Sequence, residues 1–204
     1  PFAMNISSEK LNEIRAELLP YFLRMYNCGM QKSDGGNISM RVKADSQEYI
    51  LIKASGCCFA DMKQTDLVLT DMQGQLLEGG KAPSKEVNLH SMIYRVMPDV
   101  SAVVHCHSPW ATGFAHNSDK LDFSTYHSEI KLSGYVPVFD TKGYIVDKEN
   151  IDGIEAVLRS RPELKAFLLR GHGQVALGKN IYAAVNIAEL IEETAQIATI
   201  SKII

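Results

Sequence analysis

The sequence predicts a three-layer α/β/α domain, and three observations lead to it. Short apolar runs bounded by small-residue turns fill the middle of the chain, over 38–42, 49–52, 66–71, 103–107 and 166–169. Stretches with helical spacing lie before, between and after them. A length of 204 residues suffices for one domain with a full core, so 1–204 is read as a single unit.

Ser7 and Ser8 can cap a first helix, in which Leu11, Ile14, Leu18, Leu19, Phe22 and Met25 recur on one face. Pro20 falls inside it and is expected to kink or divide it. After Asn27-Cys28-Gly29, the tight turn Ser33-Asp34-Gly35-Gly36-Asn37 leads into the strand 38–42, with 49–52 as its hairpin partner. Ala54-Ser55-Gly56 makes a second small-residue turn. The strand 66–71 is turned by Met72-Gln73-Gly74 toward 75–77. The loop 79–84 opens a helix with Ser84 as N-cap and Leu89, His90, Ile93, Tyr94 and Val96 inside, stopped by Pro98-Asp99. Pro109-Trp110 opens another helix. The segment 124–135 has no clear pattern. A short strand at 137–139, a helix over 151–158 and the buried strand 166–169 follow. A strand over 175–177 then turns through Gly178-Lys179-Asn180 into a long final helix. Its apolar face is Ala184, Ile187, Ala188, Ile191, Thr194, Ala195 and Ala198.

The net charge of -3, with no lysine-arginine run, gives no case for nucleic acid or an anionic membrane as partner. No apolar run reaches the length of a membrane span, and no signal peptide opens the chain. Pro1-Phe2-Ala3 ahead of Met4 reads as an expression remnant. Cys28, Cys57, Cys58 and Cys106 have no disulfide-framework spacing and read as reduced thiols of a cytoplasmic protein.

The chemistry centres on Val103-Val104-His105-Cys106-His107. Residues two apart on a strand point the same way, so His105 and His107 face one side and Cys106 the other. Two such imidazoles at a strand end can bind a divalent transition metal, although an isolated His-x-His is more often a packing feature. His172, between two glycines at another strand end, supplies a third nitrogen, the number common at catalytic zinc. Glu86 stands one helical turn before His90, where a carboxylate can do acid/base work beside a metal or simply complement a helix dipole. Gly35-Gly36-Asn37, Ser55-Gly56 and Ser84-Lys85 are small polar turns able to offer N–H and hydroxyl donors to a phosphate. No GxGxxG or Walker pattern occurs.

Five fragments occur in one order: Gly35-Gly36-Asn37-Ile38-Ser39, Ala54-Ser55-Gly56, Pro83-Ser84-Lys85-Glu86-Val87-Asn88-Leu89-His90, His105-Cys106-His107-Ser108-Pro109 and Arg170-Gly171-His172-Gly173. In this the sequence strongly resembles the class II aldolase/adducin family, along almost its whole length. The resemblance implies a class II aldolase-like fold with a central, mainly antiparallel sheet. It implies one Zn2+ per chain on His105, His107 and His172, with Glu86 able to touch the resting metal and then serve as catalytic acid/base. The phosphate site falls on Gly36, Asn37, Ser55, Gly56, Ser84 and Lys85, of which Lys85 departs from the serine many members carry. A distal acid falls on Tyr126, with Glu129 as second candidate. The family is typically a homotetramer with sites at subunit boundaries.

The implied reaction is zinc-dependent aldol cleavage of a ketose 1-phosphate, resembling fuculose or rhamnulose 1-phosphate. It gives dihydroxyacetone phosphate and an aldehyde through a zinc-bound enediolate. Lys85 resembles the family's decarboxylases of phosphorylated sugar acids, of the 3-oxo-tetronate 4-phosphate type, which makes decarboxylation the alternative. The family's epimerases carry Asp where Glu86 stands, and its dehydratases do not normally keep that carboxylate. Retention of the three histidines and Glu86 argues against a metal-free interaction domain of the adducin kind.

Overall fold

The computed structural model describes residues 6–203, so the reading of Pro1-Phe2-Ala3 lies outside the described residues. Among them, nine strands form one sheet in the order β4-β3-β2-β1-β5-β9-β8-β7-β6. The strands are β1 (Asn37–Ala44), β2 (Gln47–Lys53), β3 (Leu67–Thr70), β4 (Leu76–Glu78), β5 (Ala102–Cys106), β6 (Lys120–Leu121), β7 (Val136–Phe139), β8 (Ala166–Leu169) and β9 (Gly173–Gly178). Every pairing is antiparallel except that of β7 with β8, which matches the mainly antiparallel sheet expected.

Helices cover both faces. They are α1 (Ser8–Asn27), α2 (Val87–Val96), α3 (Pro109–Ala115), α4 (Tyr126–Lys131), α5 (Lys148–Ser160) and α6 (Ile181–Ile200). Alternation along β5 shows how the layers form. Val103 joins the core under α2 and α5 with Leu89, Ile93, Ile154 and Leu158. Val104 and Cys106 join the opposite core under α1 and α6 with Leu18, Phe22, Ala184 and Ala188. A third cluster, with Ala111, Leu168, Ile191 and Ala195, packs α3 against α6 and β8.

Two local expectations are corrected. Pro20 does not divide α1, which runs unbroken from its Ser7 cap to Asn27. Proline deprives the carbonyl four residues back of its helical partner. Here both Pro20 and Ala16 are exposed, so water can serve that carbonyl. Ser84 is not the N-cap of α2, which starts at Val87 with Glu86 in the cap position. Pro83-Ser84-Lys85 is drawn instead to the end of β2, where Pro83 bridges Ala54 and the Ser84 N–H donates to the Lys53 carbonyl at 3.1 Å. The unpatterned segment 124–135 contains α4, capped by the Thr125 hydroxyl, which accepts from the Ser128 N–H. No helix among the described residues is long and apolar enough to cross a membrane. All four cysteines are free.

Candidate active site

β5 carries His105 toward the α2 face, and His107 follows just past the strand end. Cys106 points into the opposite core, where burial pushes its thiol up to about 12 and keeps it out of ligand chemistry. His172 comes from the β8–β9 turn, beside the same strand end, because Cys106 pairs with Gln174. One ligand atom from each of His105, His107 and His172 falls within 4.8 Å of the others. Glu86 joins them from the start of α2, with Oε2 at 3.2 Å from His105 Nε2 and Oε1 at 3.5 Å from His172 Nε2.

The chemistry of this donor set fits a divalent metal. His105 Nδ1–H donates to the Gln174 carbonyl at 2.9 Å, which aims Nε2 into the cluster. There Nε2 meets His107 Nε2 and Glu86 Oε2, each at 3.2 Å. Acceptors this close need a positive centre between them, either a proton or a metal ion. Glu86 Oε1 is buried with no hydrogen-bond partner among the described residues. Loss of water around its inner edge, then the His105 and His172 imidazoles, lower the pKa of His107 to about 4. Desolvation and His105 lower His172 as well, so both rings stay neutral and able to ligate at neutral pH. Burial acts against ionisation of Glu86, but the imidazoles and a donor from Asn37 prevail and hold its pKa below the usual range.

The three small turns converge beside this cluster through a residue the sequence reading passed over. Lys53 is buried, and its ammonium donates to the carbonyls of Asp34 at 3.1 Å, Ala54 at 3.2 Å and Cys57 at 2.7 Å. It thus ties the Gly35-Gly36 turn to the Ser55-Gly56 turn, while its own carbonyl holds Ser84. Desolvation lowers its pKa. The signal in sequence was a lysine ending the apolar run Tyr49-Ile50-Leu51-Ile52. Gln31 was also missed: its carboxamide oxygen accepts from the His107 N–H at 2.8 Å. Gly36 has φ +62°, and a Cβ there would meet the Gln31 oxygen at 2.5 Å and the His105 carbonyl at 2.8 Å.

The expected phosphate residues are not equivalent. Asn37 is buried, and both ends of its amide are engaged, one by His90 and one by Glu86. Its side chain serves the carboxylate, which leaves only its backbone for an anion. The Ser55 hydroxyl donates to the Pro83 carbonyl at 3.2 Å. Lys85 is exposed and free of hydrogen bonds and ion pairs among the described residues. Tyr126 and Glu129 stand on α4, with Tyr126 86% exposed, and no side-chain hydrogen bond or ion pair among the described residues joins either to the histidines or Glu86.

Arg170 fixes the turn that carries His172. Its guanidinium donates to the carbonyls of Ala115, His116 and Ser118 and to the carboxylates of Asp119 and Asp140. Gly173 completes the turn, since a Cβ there would lie 2.3 Å from the Cys106 carbonyl. Replacing Gly173 with alanine is therefore expected to destabilise the protein by about 2–3 kcal/mol and to displace His172. Urea denaturation and metal titration of the variant check both effects.

His90 gives a second expectation. It is fully buried, and desolvation lowers its pKa from 6.5 to about 3. The unfolded chain therefore takes up this proton first as pH falls below 6.5. Stability should be complete above that pH and decline toward pH 3, with His90 contributing about 1.4 kcal/mol per unit. Urea midpoints of metal-free protein between pH 4.5 and 7 measure it, and a flat profile would exclude it.

The chain is similar to known proteins along nearly all of its length. The sequence profile described as Class II Aldolase and Adducin N-terminal domain matches residues 16–199. A 5-deoxy-D-ribulose 1-phosphate aldolase of Bacillus thuringiensis serovar kurstaki is 31% identical over 192 residues, covering 92% of this chain and 84% of that protein. A 3-oxo-tetronate 4-phosphate decarboxylase of Pectobacterium atrosepticum is 31% identical over 198 residues, covering 95% of this chain and 86% of that protein. The crystal structure of L-fuculose-1-phosphate aldolase from Thermus thermophilus superposes with a TM-score of 0.80 at 25% identity, covering 93% of this chain and 94% of that one.

Proposed function

Because the chain belongs to the class II aldolase and adducin family, we propose that it is a zinc-dependent lyase that cleaves a ketose 1-phosphate to dihydroxyacetone phosphate and an aldehyde. The observation that carries the reading is the convergence of three imidazoles on Glu86, one oxygen of which has no hydrogen-bond partner among the described residues. In this reading His105, His107 and His172 would hold one ion per chain, and Glu86, beside them, works on the substrate. When bound, such an ion supplies Lewis-acid polarisation of a carbonyl and its neighbouring hydroxyl. Glu86 moves the proton on the adjacent carbon. The turns at Gly36-Asn37, Ser55-Gly56 and Ser84-Lys85 bind the phosphate and so position that carbon. Lys53 keeps those turns together and adds a buried positive charge beneath them.

Tyr126 and Glu129 are the candidates for the distal acid that protonates the leaving group. The exposure of Tyr126, with Ile130, Tyr135 and Tyr144 also exposed, leaves α4 free to meet a neighbour's site in the homotetramer that the family resemblance implies. Free thiols throughout support a cytoplasmic setting. A second reading, decarboxylation of a phosphorylated sugar acid, draws on Lys85, whose unpaired ammonium beside Ser84 suits a second acidic group.

The experiment is metal analysis followed by a product-scored panel of ketose 1-phosphates, ribulose 5-phosphate and tetronate phosphates. Near one zinc per chain with dihydroxyacetone phosphate released is the expected result. Release of carbon dioxide instead moves the protein to the second reading. Failure to bind metal in protein purified without chelator overturns both.

A further inference from the structure

Beside the cluster, between α2 and β1, lies a chain of buried polar side chains to which the reaction outlined above gives no role. Its members are Tyr94 and His90 on α2 and Ser39 and Asn37 on β1, none of them more than 3% exposed. Burying four polar side chains together is costly unless each is paired, and here each is. Ser39 Oγ lies 2.7 Å from the Tyr94 hydroxyl and 2.6 Å from His90 Nδ1. His90 Nε2 is hydrogen bonded to Asn37 Oδ1, and Asn37 Nδ2 donates to Glu86 Oε2 at 3.0 Å.

The direction of every bond follows from the last. An ionised carboxylate only accepts, so the Asn37 nitrogen must face Glu86. Asn37 Oδ1 therefore faces His90, whose Nε2 must carry the ring proton. Burial keeps this imidazole neutral, so Nδ1 is an acceptor and takes the Ser39 hydroxyl proton. Ser39 Oγ then accepts from the Tyr94 hydroxyl. The alternative, with the amide flipped, would set Asn37 Oδ1 against Glu86 Oε2 and place two acceptors about 3 Å apart.

We propose that Tyr94, Ser39 and His90 are positioning residues that lock the Asn37 amide, nitrogen toward Glu86 Oε2, and so leave Oε1 as the oxygen that exchanges protons with substrate. This rests on the reading of Glu86 as the acid/base. Oε2 is anchored to the sheet through Asn37, which pairs directly opposite His105 in the β1–β5 register. Oε1 has no hydrogen-bond partner and sits on the side of His172. A carboxylate with one oxygen held and one open keeps its working lone pair in a fixed direction.

Two measurements test this. Long-range nitrogen–proton correlation NMR of the wild-type imidazoles should find the His90 proton on Nε2, and a proton on Nδ1 instead would overturn the proposal. Kinetics should show Ser39→Ala lowering kcat by about tenfold to a hundredfold, with metal content and KM kept. Ser39→Thr, which restores the hydroxyl, should return kcat to within about threefold of wild type. Tyr94→Phe should fall between them. Unchanged kcat in Ser39→Ala, or loss of metal and KM together with kcat, would overturn positioning in favour of a structural role. Wild-type protein that turns over no sugar phosphate would count against the proposed reaction only, and the tautomer would then decide the polarity of the chain by itself.

Discussion

Replacing His105 with alanine is expected to empty the metal site and to lower kcat/KM by at least about a thousandfold, roughly 4 kcal/mol of transition-state stabilisation. His105 is the most constrained of the three imidazoles: fully buried, fixed by its bond to the Gln174 carbonyl, and in contact with both Glu86 and His107. Alanine removes the ligand and takes from buried Glu86 the imidazole that lies 3.2 Å from its Oε2. Zinc analysis and circular dichroism on the same sample separate loss of metal from loss of fold. A variant that folds, lacks metal and still turns over would end the catalytic reading of the histidines. His172→Ala should lose metal too, with less effect on the core, because His172 sits in a turn rather than in the central strand.

Replacing Glu86 with glutamine should separate binding from chemistry. The carboxamide keeps the shape and can still meet Asn37 and the histidines, so metal content should stay near that of wild type. Proton transfer at the substrate carbon should fall by about a hundredfold to ten-thousandfold. Solvent deuterium exchange into dihydroxyacetone phosphate reads that step without C–C cleavage. Full exchange in the variant would move the acid/base role from Glu86 to Tyr126 or Glu129. Loss of metal in the variant would show instead that Glu86 is a required ligand.

Much of this site was legible in the sequence because its chemistry rests on local patterns. Alternation on one strand set His105 and His107 on one face and Cys106 on the other, and the fold keeps that arrangement. The glycines flanking His172 marked a close approach, and a Cβ at Gly173 would collide with the neighbouring strand, whereas the close approach at Gly36 was not marked. What was not legible depends on partners far apart in the chain. Nothing near Lys53 announces that its ammonium will join two turns, and nothing near His90 announces that it will orient Asn37. Ser84 has the residue type of a helix cap, but pairing with the end of β2 outcompetes that local choice. Pro20 was overestimated because sequence does not reveal that the orphaned carbonyl faces water.

The position of β5 has a dynamic consequence. It is the middle strand of nine, with four on either side, and His105 lies near its end. Amide exchange is slowest in elements that open only when the whole molecule unfolds. Val103 and Val104, bonded on both flanks, belong to that class, whereas the exposed ends of α4 and the loop around Tyr144 exchange through small local openings. The candidate site is thus fastened to the slowest-opening part of the molecule, and the exposed surfaces far from β5 are the ones that breathe.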